Sequence, residues 1–227
     1  MQTKVGRLII LFSVFFCTIA HADDYSSNYV GIDYKYRSMK GRKYAGYDMG
    51  KVLNNSYPSA VVYFGHRFDN DTGLTLGLEQ SGLVDKNYSF GANETFLGAN
   101  QKFGDRTMIE SRIQSIHFDL NGFADVNSYF EAVGQLGVAL MRNKMDARIY
   151  SGGVGTDMAP GRRYRFIPRV GFGLQHIGKR KLGIRALVNW EGTNMYRMKL
   201  TDSDGIRRSI RPFQQSWSFS IGVVGKF

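Results

Sequence analysis

The chain has 227 residues, with 30 Lys and Arg against 19 Asp and Glu for a formal charge of +11, and one cysteine. This length suits a single domain, and because Cys17 sits in the N-terminal segment, disulfide and thiolate chemistry are excluded for the rest of the chain. Beyond that segment no run approaches the roughly 18 uncharged apolar residues of a transmembrane helix, so a helical membrane anchor is excluded too.

The N-terminal segment reads as a processing signal. Lys4 and Arg7 give a basic start, residues 8–20 an apolar run, and Ala20-His21-Ala22 a small-residue cleavage site. Phe15 and Phe16, just before Cys17, are too bulky for a lipoprotein cleavage box. The expected organisation is a cleaved signal over residues 1–22 and one domain over 23–227, beginning at Asp23. Losing Lys4 and Arg7 takes 30 basic residues to 28, and 28 minus 19 leaves +9. A basic exported protein points to anionic partners, and outside a cell these are lipopolysaccharide and acidic glycans rather than nucleic acid.

Period-two alternation then recurs in eight segments, near residues 28–39, 60–68, 74–83, 112–124, 128–143, 166–175, 181–193 and 214–227. Short connections rich in turn formers (69–73, 125–127 and 177–180) alternate with long ones (40–59, 84–111, 144–165 and 194–213). This rhythm matches a transmembrane barrel with tight periplasmic turns, long extracellular loops and both termini in the periplasm. The connection 84–111 has room for a further hairpin around 88–103, which would make ten strands. A three-residue turn at 125–127 would set Phe118 opposite Gly134, Leu120 opposite Ala132 and His117 opposite Gln135.

Which face points inward is decided by the polar face. It mixes Gly and Ser with charges of both signs, as in Gly31, Asp33, Lys35 and Arg37, or Arg169, Gly171 and Gly173. A solvated outer face would rarely use so much Gly, whereas a narrow barrel interior needs small residues beside large ones. The nearly uncharged face (Val30, Ile32, Tyr34 and Tyr36; Ile116, Phe118 and Leu120; Leu136, Val138 and Leu140) is therefore expected to face lipid, with aromatic girdles near the strand ends. Closure satisfies every backbone N–H and C=O without water.

The last segment is the clearest. Trp217, Phe219, Ile221, Val223 and the terminal Phe227 fall on one face, and Ser216, Ser218, Ser220, Gly222 and Lys226 on the other. This closing strand, with the signal, the eight segments and the loop rhythm, resembles the small outer-membrane barrels typified by the OmpA transmembrane domain and OmpX. The resemblance implies an all-β, antiparallel, eight-stranded up-and-down transmembrane barrel in a bacterial outer membrane. It also implies that Trp217, Phe219 and Phe227 form a C-terminal signal for the barrel assembly machinery. The family is a scaffold whose members include adhesins, immune-evasion factors, small pores and lipid-modifying enzymes, so it does not fix function.

The inward charges are Asp33, Glu79, Asp119, Glu131 and Glu191 against Lys35, Arg37, Arg67, Arg169, Arg185 and Lys226. In an eight-stranded barrel such groups are expected to pair and plug the lumen. Ser115, His117 and Asp119 share one inner face and invite comparison with a catalytic triad. Residues at i and i+2 of one strand are, however, too far apart for direct hydrogen bonding in most rotamers. His66 and His176 are isolated from any metal-ligand spacing, and the glycines at 152, 153 and 155 lack the Gly-Lys-Ser/Thr ending of a phosphate loop. No catalytic, metal or cofactor site is expected.

Basic clusters mark the loops: Arg42 and Lys43 in the first, Arg162, Arg163 and Arg165 in the third, and Arg207, Arg208 and Arg211 in the fourth. Arginine suits bidentate phosphate contacts, so these are expected to meet lipopolysaccharide or an anionic glycan. Tyr44, Tyr47 and Tyr57 in the first loop and Tyr88, Phe90, Phe96 and Phe103 in the second add aromatic surface that either binds or caps. The reading is a surface scaffold whose external loops mediate interaction or adhesion, with host surface molecules as partners. The alternatives are a narrow diffusion pore and a lipid A-modifying enzyme.

Overall fold

Eight antiparallel strands each pair on both sides, so alternation along the sequence closes into a ring. The computed structural model describes residues 27–44, 47–91, 95–96, 99–100, 105–151, 154–158, 164–177, 181–193, 198–201 and 207–227. The segment expected to be a signal lies outside them. The strands are β1 (Ser27–Gly41), β2 (Ser56–Arg67), β3 (Thr72–Ser81), β4 (Arg106–Asp125), β5 (Glu131–Ser151), β6 (Arg165–Ile177), β7 (Leu182–Glu191) and β8 (Phe213–Lys226). Each pairs with the next in sequence, and β8 pairs with β1 to close the barrel. Val84–Ser89 pairs only with the upper part of β4, extending the β3–β4 connection without adding a strand to the ring.

Polarity is inverted relative to a water-soluble barrel. Ile221 is 50% exposed while its neighbour Ser220 is 3% exposed, and the same contrast separates Ile32 from Asp33 and Leu120 from Asp119. The outward belt is bounded by aromatics: Tyr36, Trp217 and Phe166 toward the loop end, and Phe68, Tyr129, Phe130 and Phe227 toward the turn end. Phe64 points outward by alternation yet is buried, with the Phe227 ring 6.5 Å away.

The β4–β5 register differs from the expected one. Gly134 faces Gly122, Leu136 faces Leu120, Val138 faces Phe118 and Ala139 faces His117. The reason is a longer turn: Asn127 Oδ1 accepts hydrogen bonds from the Tyr129 and Phe130 amides, and Val126 N–H donates to Phe130 O. This Asx-type turn spans residues 126–130. The shift preserves parity, so the same side chains still face lipid.

β4 and β5 also run further than alternation of one polarity suggests, over 20 and 21 residues. Up to Ile116 and Leu140 their outward side chains are apolar; beyond, they become Gln114, Arg112 and Glu110 on β4 and Arg142, Lys144 and Asp146 on β5. Over the same stretch the inward side chains lose their charges and mix apolar Ile113, Ile109 and Met145 with uncharged Ser111, Thr107 and Asn143. The strand is inside-out within the belt and conventional above it, as expected where it leaves lipid for water.

The narrow ring is accommodated by pairing inward glycines with bulky side chains on the next strand. Gly31 faces Tyr63, Gly65 faces Tyr29, Gly137 faces Asp119 and Gly222 faces Asp33, and a Cβ at any of them would collide with the partner. Gly134, by contrast, points outward with nothing within 4 Å of where a Cβ would stand. Gly137→Leu is expected to abolish the folded, SDS-resistant band that shifts on boiling. Gly134→Val is expected to retain it.

At the β2–β3 turn Asp69 Oδ1 accepts from the Asp71 and Thr72 amides, and these bonds hold its pKa below the ordinary 3.8. A depressed carboxylate stabilises the turn above its unfolded pKa and loses that contribution as pH falls through the folded one. An NMR titration should therefore place Asp69 below ordinary aspartates, and Asp69→Ala should remove the pH dependence of the Asp71 and Thr72 amide shifts.

Candidate functional site

The lumen is filled in three layers. At the turn end Tyr29 packs edge-on to Tyr63 and Phe123, with centroids 6.3 and 6.4 Å apart, and its hydroxyl lies 2.7 Å from Thr75 Oγ1. Arg67 lies over the Phe123 ring at 4.1 Å and pairs with Glu131 at 3.0 Å. Arg185 lies over Tyr63 at 3.6 Å. Such stacking suits the planar guanidinium, which is less strongly hydrated than an ammonium.

The middle layer holds the remaining inward charges. Arg185 donates to Asp33 at 2.7 Å and Arg169 to Asp119 at 3.0 Å. Lys35 and Arg37 are shared by two carboxylates: Glu79 at 3.1 and 2.7 Å, and Glu191 at 2.8 and 3.0 Å. These pairs, with Arg67–Glu131, match five cations to five carboxylates, so the ion-paired groups carry no net charge. Lys226, partly exposed near the end of β8, makes no ion pair among the described residues. Within the layer a cavity of about 20 Å³ is lined by Asp33, Asp119, Arg169 and Arg185, among others. That is about the space of one water rather than a passage.

Ser115 and His117 both turn to Glu79 Oε2, at 3.0 and 3.1 Å, and Asp119 turns to Arg169. The three residues that shared a face in the sequence thus make no nucleophile–base–acid relay. All three are buried in the lumen.

The upper layer is built around an apolar cluster. The helical turn Met49–Val52 and Leu53 pack with Met39, Ile109, Ile113, Met141 and Phe213 inside the loop end of the barrel. Lys86 Nζ donates to Gly50 O at 2.8 Å and to Leu53 O at 3.1 Å, fastening the end of this turn. Asn54 Nδ2 donates to Val84 O, Ile109 O and Ser111 Oγ. Of the loop aromatics expected either to bind or to cap, Tyr57 and Phe90 are buried in this plug and Tyr88 is half-buried against it. The signal was present in the sequence as Met49, Val52 and Leu53 clustered in an otherwise polar connection.

Of the basic loop residues, Lys43 and Arg211 are exposed and Arg42 is half-buried; the Arg42 amide donates to Pro212 O, joining the bases of the first and fourth loops. Arg165 is not in a loop: it is the first residue of β6, on the same face as inward-facing Ile167 and Arg169. Arg162, Arg163 and Phe103 lie outside the described residues. So do the side chains of Arg207, Arg208, Tyr44, Tyr47 and Phe96.

No family model and no curated protein matches the sequence. Among solved structures, Ail, the attachment invasion locus protein of Yersinia pestis, aligns in complex with the heparin analogue sucrose octasulfate. It shows 14% identity and a TM-score of 0.44 over 89% of this chain and 97% of that one. Neisserial surface protein A gives 13% identity and 0.44 over 89% and 99%. A major outer membrane protein from Thermus thermophilus gives 8% identity and 0.47 over 87% and 99%. At these values the likenesses carry no argument about what this chain does.

Breaking one partner of a buried ion pair costs about 3–5 kcal/mol because it strands the other. Glu79→Ala leaves Lys35 and Arg37 sharing only Glu191 and is expected to fall in that range by urea unfolding in lipid. Lys226→Ala should change stability by about 0.5 kcal/mol or less.

Proposed function

We propose that the protein is a non-conducting outer-membrane barrel that acts as a surface scaffold, with the elements beyond its loop end making the functional contacts. The observation that carries this reading is the filled lumen. Among the described residues a neutral ion-pair layer under an apolar plug occupies the lumen, and its charges are paired with one another. The chain's investment lies instead above the belt, where β4 and β5 continue with polar outward faces and pair with Val84–Ser89 and Val154–Met158. A membrane setting is supported by the inverted polarity and its aromatic boundaries. Absence of catalysis is part of the same proposal, since Ser115 and His117 serve Glu79 deep in the lumen. Adhesion through an anionic glycan is the contact favoured by exposed Lys43 and Arg211 near the joined first and fourth loops.

Two measurements test it. In planar bilayers the purified protein is expected to give no reproducible steps, and steady conductance would favour the pore. Whole cells displaying the protein are expected to retain heparin-type polysaccharide, with retention falling severalfold when Lys43, Arg207, Arg208 and Arg211 become Ser; unchanged retention would remove the adhesion reading.

A further inference from the structure

The outer surface carries a groove apart from the loop arginines, across β2, β3 and β4, whose lining also takes in Glu79 and Ser115. It has a volume of about 520 Å³, within the range of small-molecule sites. Its floor is small and apolar, with exposed Ala60 beside Val62, Leu78 and Ile116, and its far wall is Tyr164. Tyr34 stands opposite Ala60 in register on the other side. The groove's upper edge is where the outward face changes polarity. Gln114 Nε2 donates to Gln80 Oε1 at 2.8 Å, and Arg142, in register with Gln114, holds its guanidinium 5.6 Å from the Tyr164 ring centroid. One row higher, Arg112 and Lys144 face each other across β4 and β5. Arg142, Lys144 and Arg112 thus share one outward face within two rows, close enough for one anionic group to reach more than one of them. Asp146 engages Lys144 at 3.4 Å, but both side chains are nearly half exposed. Screened pairs of that kind hold little energy and exchange readily.

We propose that this groove seats one acylated lipid of the surrounding leaflet, its chain along Ala60, Val62, Leu78 and Ile116 and its phosphate on Arg142, Arg112 and Lys144. An apolar trough ending in cations at the depth where the belt stops is complementary to an amphiphile with a phosphorylated headgroup. Neither half would select such a molecule alone. The amides of Gln80 and Gln114 lie between them, where a lipid carries ester or amide linkages that can hydrogen-bond. The site rests on the membrane reading but not on adhesion or on a closed lumen.

Native mass spectrometry of the refolded barrel, released from micelles holding equal phosphatidylglycerol and phosphatidylcholine of matched acyl chains, tests this. One phosphatidylglycerol should be retained in preference to phosphatidylcholine. The triple variant Arg112→Ser, Arg142→Ser, Lys144→Ser should lose that preference by about tenfold. Ala60→Trp, which fills the trough from the lipid side, should release both lipids. These positions face away from the lumen, so the gel shift on boiling reports that the variants still fold. Equal retention of the two lipids, or a preference that survives the triple substitution, overturns the site. A wild-type chain that stays soluble without detergent would undo the membrane reading itself.

Discussion

Closure of the backbone ladder with only eight strands is the constraint on which the rest of the molecule depends. In lipid no N–H or C=O can be left to water, so the sheet must meet itself, and eight strands leave an interior just wide enough for side chains. Every inward position is then contested. Tyr63 and Asp119 can occupy the lumen only because Gly31 and Gly137 stand opposite them. Charges admitted to that space must be cancelled in place, which is why Lys35 and Arg37 are both bridged by Glu79 and Glu191.

Such a layer is a poor source of net stability, because desolvating each ion costs about as much as the pairing returns. Its physical effect is to specify: a β8 slipped by two residues against β1 would keep its faces but take Gly222 away from Asp33. The apolar clusters at the two ends supply the burial that the middle lacks, with Tyr29, Tyr63 and Phe123 below and the Met49–Leu53 segment above. The interior is thus a soluble core in miniature at each end and an electrostatic lock between them.

What could be read from the chain followed from what lipid and closure impose everywhere. The eight strands and their facing express one period of two, which a single strand displays without knowledge of its neighbours. Register did not, because it depends on turn length, and the Asn127 side chain adds to the 125–127 turn in a way that composition alone does not reveal. The upper halves of β4 and β5 were missed for a related reason. Alternation continues through Ile109 and Ile113, but its polarity reverses, so a search for apolar-outward segments stops near Arg112. The plug was hidden because Met49, Val52 and Leu53 gain meaning only when the barrel mouth closes around them.

That reversal of polarity has a consequence beyond marking the membrane's edge. A strand that changes solvent partway must present, on its outward side, a short interval where neither apolar nor fully charged residues dominate. Here the interval is Gln80, Gln114 and Arg142, paired in one row across β3, β4 and β5, with the Tyr164 ring beside the Arg142 guanidinium. Amides and a stacked guanidinium can satisfy each other, as Gln114 and Gln80 do, while still reaching polar atoms of a lipid. The lumen has less freedom, because its charged side chains Asp33, Lys35, Arg37, Glu79, Asp119, Arg169, Arg185 and Glu191 are already paired with one another. On the proposed scaffold reading, chemistry that engages another molecule falls to the outer surface and the elements above it, because closure of a narrow ring fills the interior with groups that hold the ring together.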